Sequence, residues 1–66
     1  MFVYVNGKET EIGEPLTVAE LVAERGLNPN TMVVEHNMVI LPKEKWSESV
    51  LAADDRLEII SFVGGG

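Results

Sequence analysis

The sequence predicts an α+β fold: a mixed sheet of four or five strands with one helix packed on one face. Three observations lead there. An Asn-Gly pair closes the apolar, β-rich run Phe2-Val3-Tyr4-Val5, a single capped helical stripe begins at Thr17, and short strand-like runs separated by turns fill the rest of the chain. One helix against four or five strands is too little helix for a doubly wound sheet, so a two-layer arrangement remains.

Each element has a local reason. Asn6 and Gly7 both tolerate positive φ, so Lys8 to Ile12 is expected to pair back on the first strand as a hairpin, until Gly13 and Pro15 break it. Thr17-Val18-Ala19-Glu20 is a capping box, in which hydroxyl and carboxylate satisfy each other's free backbone N–H groups. Val18, Leu21, Val22 and Arg25 then recur at helical spacing, which predicts a helix over Val18 to Arg25 with a cation favouring its C-terminal dipole. Gly26 stands where a C-terminal cap belongs, and Leu27 can pack back on Val22.

Asn28-Pro29-Asn30 reads as loop. Thr31 to Glu35 and Val39 to Leu41 read as strands about a turn at Asn37, and Pro42 stops the second. Lys43 to Trp46 suits a turn or 3₁₀ segment with Trp46 packed beneath it, its indole N–H needing a partner. Ala53-Asp54-Asp55-Arg56 is a turn before the last strand, Leu57 to Val63. The order ββαβ(β)β is that of a β-grasp domain. Residues 1–63 are expected to form it, around a core of Val3, Val5, Val18, Leu21, Val22, Leu57 and Ile59, with residues 64–66 as a flexible tail.

Composition narrows the function. Sixty-six residues make one domain at most, and a chain this size buries only about 60% of its unfolded surface. Without cysteine there is no disulfide, thiol nucleophile or thiolate ligand, and one histidine makes no metal site alone. Packing must hold the fold, and 45% apolar residues make that feasible. Five basic against eleven acidic residues argue against nucleic acid or an anionic membrane as partner, because phosphate binding rests on Lys and Arg. The acidic excess either solvates the domain or attracts a basic partner surface. No apolar run approaches the roughly 18–20 residues of a membrane span, and no signal peptide precedes the first strand, so a cytoplasmic protein is expected.

Several stretches resemble the thiamin-biosynthesis sulfur carriers of the ThiS family, within the MoaD/ThiS superfamily. They are Val5-Asn6-Gly7, Leu16-Thr17-Val18-Ala19-Glu20-Leu21, Pro42-Lys43-Glu44-Lys45-Trp46 and, most specifically, Asp55 through Phe62-Val63-Gly64-Gly65-Gly66. The likeness covers essentially the whole chain; the family often has arginine where Lys43 stands, a departure that touches no chemistry. The resemblance implies a ubiquitin-like fold and a carrier rather than an enzyme. It also implies adenylation of the terminal carboxylate by a ThiF-like adenylyltransferase, conversion to a thiocarboxylate, and sulfur delivery to a ThiG-like thiazole synthase. No cofactor would be bound, ATP being used by the adenylating partner, and the free carrier would be a monomer.

The residues themselves suit that chemistry. A terminal carboxyl with a pKa of about 3.3–3.7 is ionised at neutral pH and can attack the α-phosphate of ATP, giving an anhydride open to a sulfur nucleophile. Gly64, Gly65 and Gly66 make a slender end of about 10 Å when extended, able to enter a channel that a Cβ would block. With no cysteine present, carried sulfur must sit at the Gly66 carboxylate. The competing reading of these glycines is a frayed end or cloning remnant.

Strand parity adds a second feature. Leu57 and Ile59 share one face with Val3 and Val5, leaving Tyr4, Ile60 and Phe62 on the face the helix cannot cover, where an apolar patch would bind partners unless a loop covers it as a second core. His36 reads as a turn residue rather than a general base, Asp54 and Asp55 as solvated turn carboxylates, and Glu20 and Glu24 as capping and surface charge. Alternatives at this point are a molybdopterin-synthase small subunit, a tRNA-thiolation carrier, or a plain ubiquitin-like interaction module with an idle tail.

Overall fold

The computed structural model describes residues 1–62; Val63 and the glycines 64–66, with the expectation of a flexible tail, lie outside the described residues. Phe2–Val5 (β1) and Lys8–Glu11 (β2) form the predicted antiparallel hairpin, pairing Phe2 with Glu11 and Val5 with Lys8. Its turn holds Asn6 at φ 52° and Gly7 at φ 80°, the two left-handed conformations whose twist matches the strands.

The helix α1 runs Val18–Glu24, with Arg25 as its C-cap rather than its last residue. Both halves of the capping box form: Glu20 N–H donates to Thr17 Oγ1 at 3.1 Å, and Thr17 N–H to Glu20 Oε1 at 2.8 Å. At the other end Gly26 takes φ 69°, its N–H reaching Ala23 O at 3.0 Å while Leu27 N–H reaches Val22 O at 3.3 Å. That paired closure is a Schellman motif. Seven residues are too few to stay helical alone, so these caps and the buried Val18, Leu21 and Val22 hold the element.

Beyond the helix the boundaries shift for local reasons. The expected loop at residues 28–30 is partly a 3₁₀ turn, Pro29–Thr31, because Asn28 Oδ1 accepts the Asn30 N–H at 3.0 Å and Pro29 fits its first position. Thr31 is taken up there, so β3 is Met32–His36, one residue later than its alternation suggests. β4 is Val39–Leu41, a second 3₁₀ segment extends over Lys43–Glu48, and β5 is Arg56–Ser61. The sheet order is β2-β1-β5-β3-β4, with β1 and β5 parallel and every other pair antiparallel.

Register sorts the side chains. Val34 lies opposite both Leu41 and Ile59, on the face that also carries Val3, Val5 and Leu57. Six of the seven expected core residues are buried; Ile59 is only half-buried, lining a cavity beyond the C-terminal end of α1 with Leu27, Met32 and Arg25. The helix is about 10 Å long and the sheet about 19 Å wide, so the helix alone cannot seal that face. Ile12, Trp46 and Leu51, all buried, complete the cover. Residues 49–51 are tied to the start of the helix by Val18 N–H to Ser49 O (2.9 Å) and Leu51 N–H to Leu16 O (2.8 Å). The indole of Trp46 donates to Leu41 O at 3.0 Å, which meets its need for a partner.

The β3–β4 turn repeats the geometry of the first hairpin with the wrong residue in it. Asn37 has φ 52° and Met38 φ 72°, and the Met38 side chain is 86% exposed. A side chain in that backbone region costs about 1–2 kcal/mol, against about 0.5–1 kcal/mol for the greater unfolded freedom of glycine. Met38→Gly is therefore expected to raise stability by about 0.5–1 kcal/mol in urea unfolding. A lowered midpoint would mean that Met38 makes a contact worth more than its backbone strain.

Candidate functional site

Gly64, Gly65 and Gly66 lie outside the described residues, but the strand leading to them does not. Backbone pairing of β1 with β5 ends at Val5 and Leu57, followed by Asn6 N–H to Leu57 O at 2.8 Å. The side chain of Asn6 then continues the ladder: Ile59 N–H donates to Oδ1 at 2.7 Å and Nδ2 donates to Ile59 O at 3.3 Å. A primary amide presents a donor and an acceptor side by side, as a backbone peptide does, so it substitutes for one more strand residue. On the other edge Phe62 N–H donates to Thr31 O at 3.1 Å. The strand is thus gripped from both sides as far as Ile59, and from the β3 side up to Phe62, the last described residue. Sequence reasoning assigns Asn6 only to its turn and misses this grip.

Ile60 and Phe62 stand on the uncovered face as parity predicts, 48% and 59% exposed, so no described segment seals them into a second core. Val33 lies directly opposite Ile60 and joins them, a residue the sequence reading missed because its partner strand was unknown. Tyr4 shares the face but not the patch. It pairs with Arg56, four residues before Ile60 and so about 13 Å down the strand. Its half-buried ring lies under the Arg56 guanidinium, 4.6 Å from the ring centroid. The expected single patch is therefore split, because the parallel offset of β1 stops it short of the far end of β5.

Asp55 departs from the solvated carboxylate expected of it. It accepts Ala52 N–H at 2.8 Å, His36 Nε2 at 2.8 Å and Asn37 Nδ2 at 3.2 Å, while Arg56 N–H donates to Asn37 Oδ1 at 2.9 Å. This cluster locks the β3–β4 hairpin to the start of β5, at the end of the sheet away from the glycines. Burial raises the Asp55 pKa, but the hydrogen bonds from Ala52, His36 and Asn37 outweigh it and hold the carboxyl below its usual 3.8. His36 serves here as a strand-end donor. Among the described residues no group of three or more His, Asp or Glu could hold a metal, and no helix is long and apolar enough to cross a membrane.

Residues 3–66 match the model of the ThiS family. The chain belongs to the ThiS family. It is 36% identical to the sulfur carrier protein ThiS of Bacillus subtilis (strain 168) over 63 residues, covering 94% of this chain and 96% of that protein. It is also 35% identical to part of the thiazole synthase of Paramagnetospirillum magneticum, where it spans all of this chain but only 20% of that protein's length. The crystal structure of the thiamine biosynthesis protein ThiS from Geobacter metallireducens matches with a TM-score of 0.86 at 30% identity, covering 100% of both chains. The fold of this ThiS-family chain is the ubiquitin-like β-grasp, as its sequence predicts.

The Asp55 cluster carries a pH signature. A carboxyl whose folded pKa is depressed adds stability above its unfolded pKa and loses it as pH falls through the folded value. The stability advantage of wild type over Asp55→Asn, measured by urea unfolding, is expected to be full at neutral pH and to shrink from pH 3.8 downward. An advantage that persisted undiminished in acid would assign it to packing instead of ionisation.

Proposed function

We propose that this chain is the sulfur carrier of thiamin (thiazole) biosynthesis and that the carboxylate of Gly66 carries the sulfur. The observation that bears most weight is its nearly end-to-end similarity to the Bacillus subtilis sulfur carrier protein ThiS. In this reading the ionised carboxylate attacks the α-phosphate of ATP on a ThiF-like adenylyltransferase and pyrophosphate leaves. A sulfide-level sulfur nucleophile then adds to the acyl carbon of the adenylate, AMP departs, and a thiocarboxylate remains. The chain is a co-substrate throughout, binding no cofactor of its own.

A ThiG-like thiazole synthase is the proposed acceptor. Two proteins named thiazole synthase, from Paramagnetospirillum magneticum and Magnetococcus marinus, contain a segment similar to all of this chain. A synthase holding such a segment in its own polypeptide keeps carrier and acceptor together, which favours the thiazole branch over molybdopterin synthesis or tRNA thiolation. The grip of Asn6 and Thr31 on β5 supports the same mechanism, since a slender end is useful only when it leaves a fixed point. Ile60 and Phe62, with Val33 beside them and Tyr4 farther down the face, are the proposed docking residues. Phe62→Glu should raise the KM for the carrier at either partner while leaving the urea midpoint within about 0.5 kcal/mol of wild type, as exposed positions allow. A lost fold would instead make Phe62 core.

The decisive test is registry. Deleting Gly66, or adding one residue after it, moves the reacting carboxylate by about 3.5 Å, as far as the whole near-attack distance of about 3–3.5 Å. Either change should abolish ATP–pyrophosphate exchange with a cognate adenylating enzyme while docking persists. Gly65→Val should fail as well, because a β-branched side chain narrows the backbone's choices and widens the tail. Carrier isolated from cells should show a C-terminal mass increase of about 16 Da, distinguished by peptide mapping from methionine oxidation. Full exchange by the truncated protein would leave the interaction-module reading in place.

A further inference from the structure

The parallel ladder between β1 and β5 runs out before β5 does. Tyr4 N–H donates to Asp55 O and Asn6 N–H to Leu57 O, both at 2.8 Å. The next bond of that series would come from residue 8 to Ile59 O, but Lys8 has turned back to pair with Val5. On the β1 side, the peptide groups of Ile59 would thus be left as those of an edge strand are. Side-chain packing does little to hold them, because Ile59 and Ser61 border a cavity with Leu27, Met32 and Arg25. The Asn6 amide takes both groups instead, Oδ1 accepting Ile59 N–H at 2.7 Å and Nδ2 donating to Ile59 O at 3.3 Å.

The turn does not require that amide. A two-residue turn of this kind accepts Asn, Asp or Gly at its first position, and Gly takes φ 52° without a side-chain penalty. Of the three, only Asn offers Ile59 both a donor and an acceptor. The same device recurs at the other end of β5. Asn37, also at φ 52°, accepts Arg56 N–H at 2.9 Å and donates to Asp55 Oδ1 at 3.2 Å. A turn asparagine thus clasps the strand toward each end, and the Asn6 clasp is the one nearer the glycines. We propose that Asn6 is a positioning residue for the carrier reaction: by holding Ile59 from the β1 side, it fixes the direction in which β5 leads toward the Gly66 carboxylate. The inference rests on the carrier reading above. A strand end paired on one side only, here through Val33 with Ile60 and Thr31 with Phe62, opens more readily than one held on both. Reaction needs the carboxylate about 3–3.5 Å from the α-phosphate, and a wandering origin populates that geometry less often.

Two glycine variants separate position from stability. Asn6→Gly keeps the turn and removes the clasp, so by NMR the Ile59 amide should exchange with solvent about tenfold faster or more. In ATP–pyrophosphate exchange with a cognate adenylating enzyme, its kcat should fall about tenfold or more, since a misplacement of about 1 Å can cost about a hundredfold. KM for the carrier should stay near that of wild type, because the exposed Ile60 and Phe62 and their pairing with β3 are untouched. Asn37→Gly should lower the urea midpoint at least as far, since one of its bonds goes to a carboxylate, yet keep the wild-type kcat. An unchanged kcat in Asn6→Gly, a rise in KM in place of the fall in kcat, or an equal fall in Asn37→Gly would overturn the positioning role. So would an Ile59 amide as protected as before. A wild-type carrier inactive in the exchange would overturn the carrier reading and the proposal with it, whereas an active wild type beside an equally active Asn6→Gly would overturn the proposal alone.

Discussion

A seven-residue helix can shelter only one face of a five-stranded sheet, and almost everything else in this chain follows from that constraint. Every strand must place its larger apolar groups alternately, since a side chain on the wrong parity meets water. Val3, Val5, Val34 and Leu57 obey this on the sheltered side, and the 3₁₀ segment bearing Trp46 is recruited because the helix falls short of the sheet's width. The opposite face is left free of the demands of folding. What stands there, apolar at Val33, Ile60 and Phe62 and acidic between them and Tyr4, therefore reflects something other than core packing.

How much of this the sequence disclosed depends on the reach of the interaction involved. The first hairpin and both helix caps are local: Asn6-Gly7, Thr17 with Glu20, and Gly26 act within a few residues, and each is where its residue type predicts. Parity is also local, so the exposure of Ile60 and Phe62 could be read in advance. Contacts between distant segments could not. The Asn6 side chain meets Ile59 across 53 residues of chain, and Asp55 meets His36 across 19. Their identities suggest turns, and only the offset of β1 against β5 gives them their second roles. That same offset separates Tyr4 from Ile60. Of the proposed site, the glycines were legible because their chemistry depends on sequence order alone.

The two ends of the sheet are fixed by different means. At the far end a carboxylate gathers three donors and joins the β3–β4 hairpin to the turn that starts β5. At the near end a neutral amide completes a strand ladder and holds Ile59. An amide suits that place because it offers a donor and an acceptor side by side, as the backbone of one more strand residue would.

Rigidity and slenderness then divide along the chain. In the proposed carrier role, reaching a partner's nucleotide calls for a narrow end free to rotate, and reproducible delivery calls for an origin that does not move. One segment cannot supply both, because the side chains that anchor a strand also widen it. β5 resolves the conflict by sequence order: Leu57 is buried, Ile59 is half-buried and clasped by Asn6, Ile60 and Phe62 face outward, and only then do the glycines begin. On the proposed carrier reading only a few residues thread, so the entropy lost is about 1–2 kcal/mol for each of them rather than that of a long linker. On the same reading, contacts made by the exposed Ile60 and Phe62 just before the glycines would offset that loss.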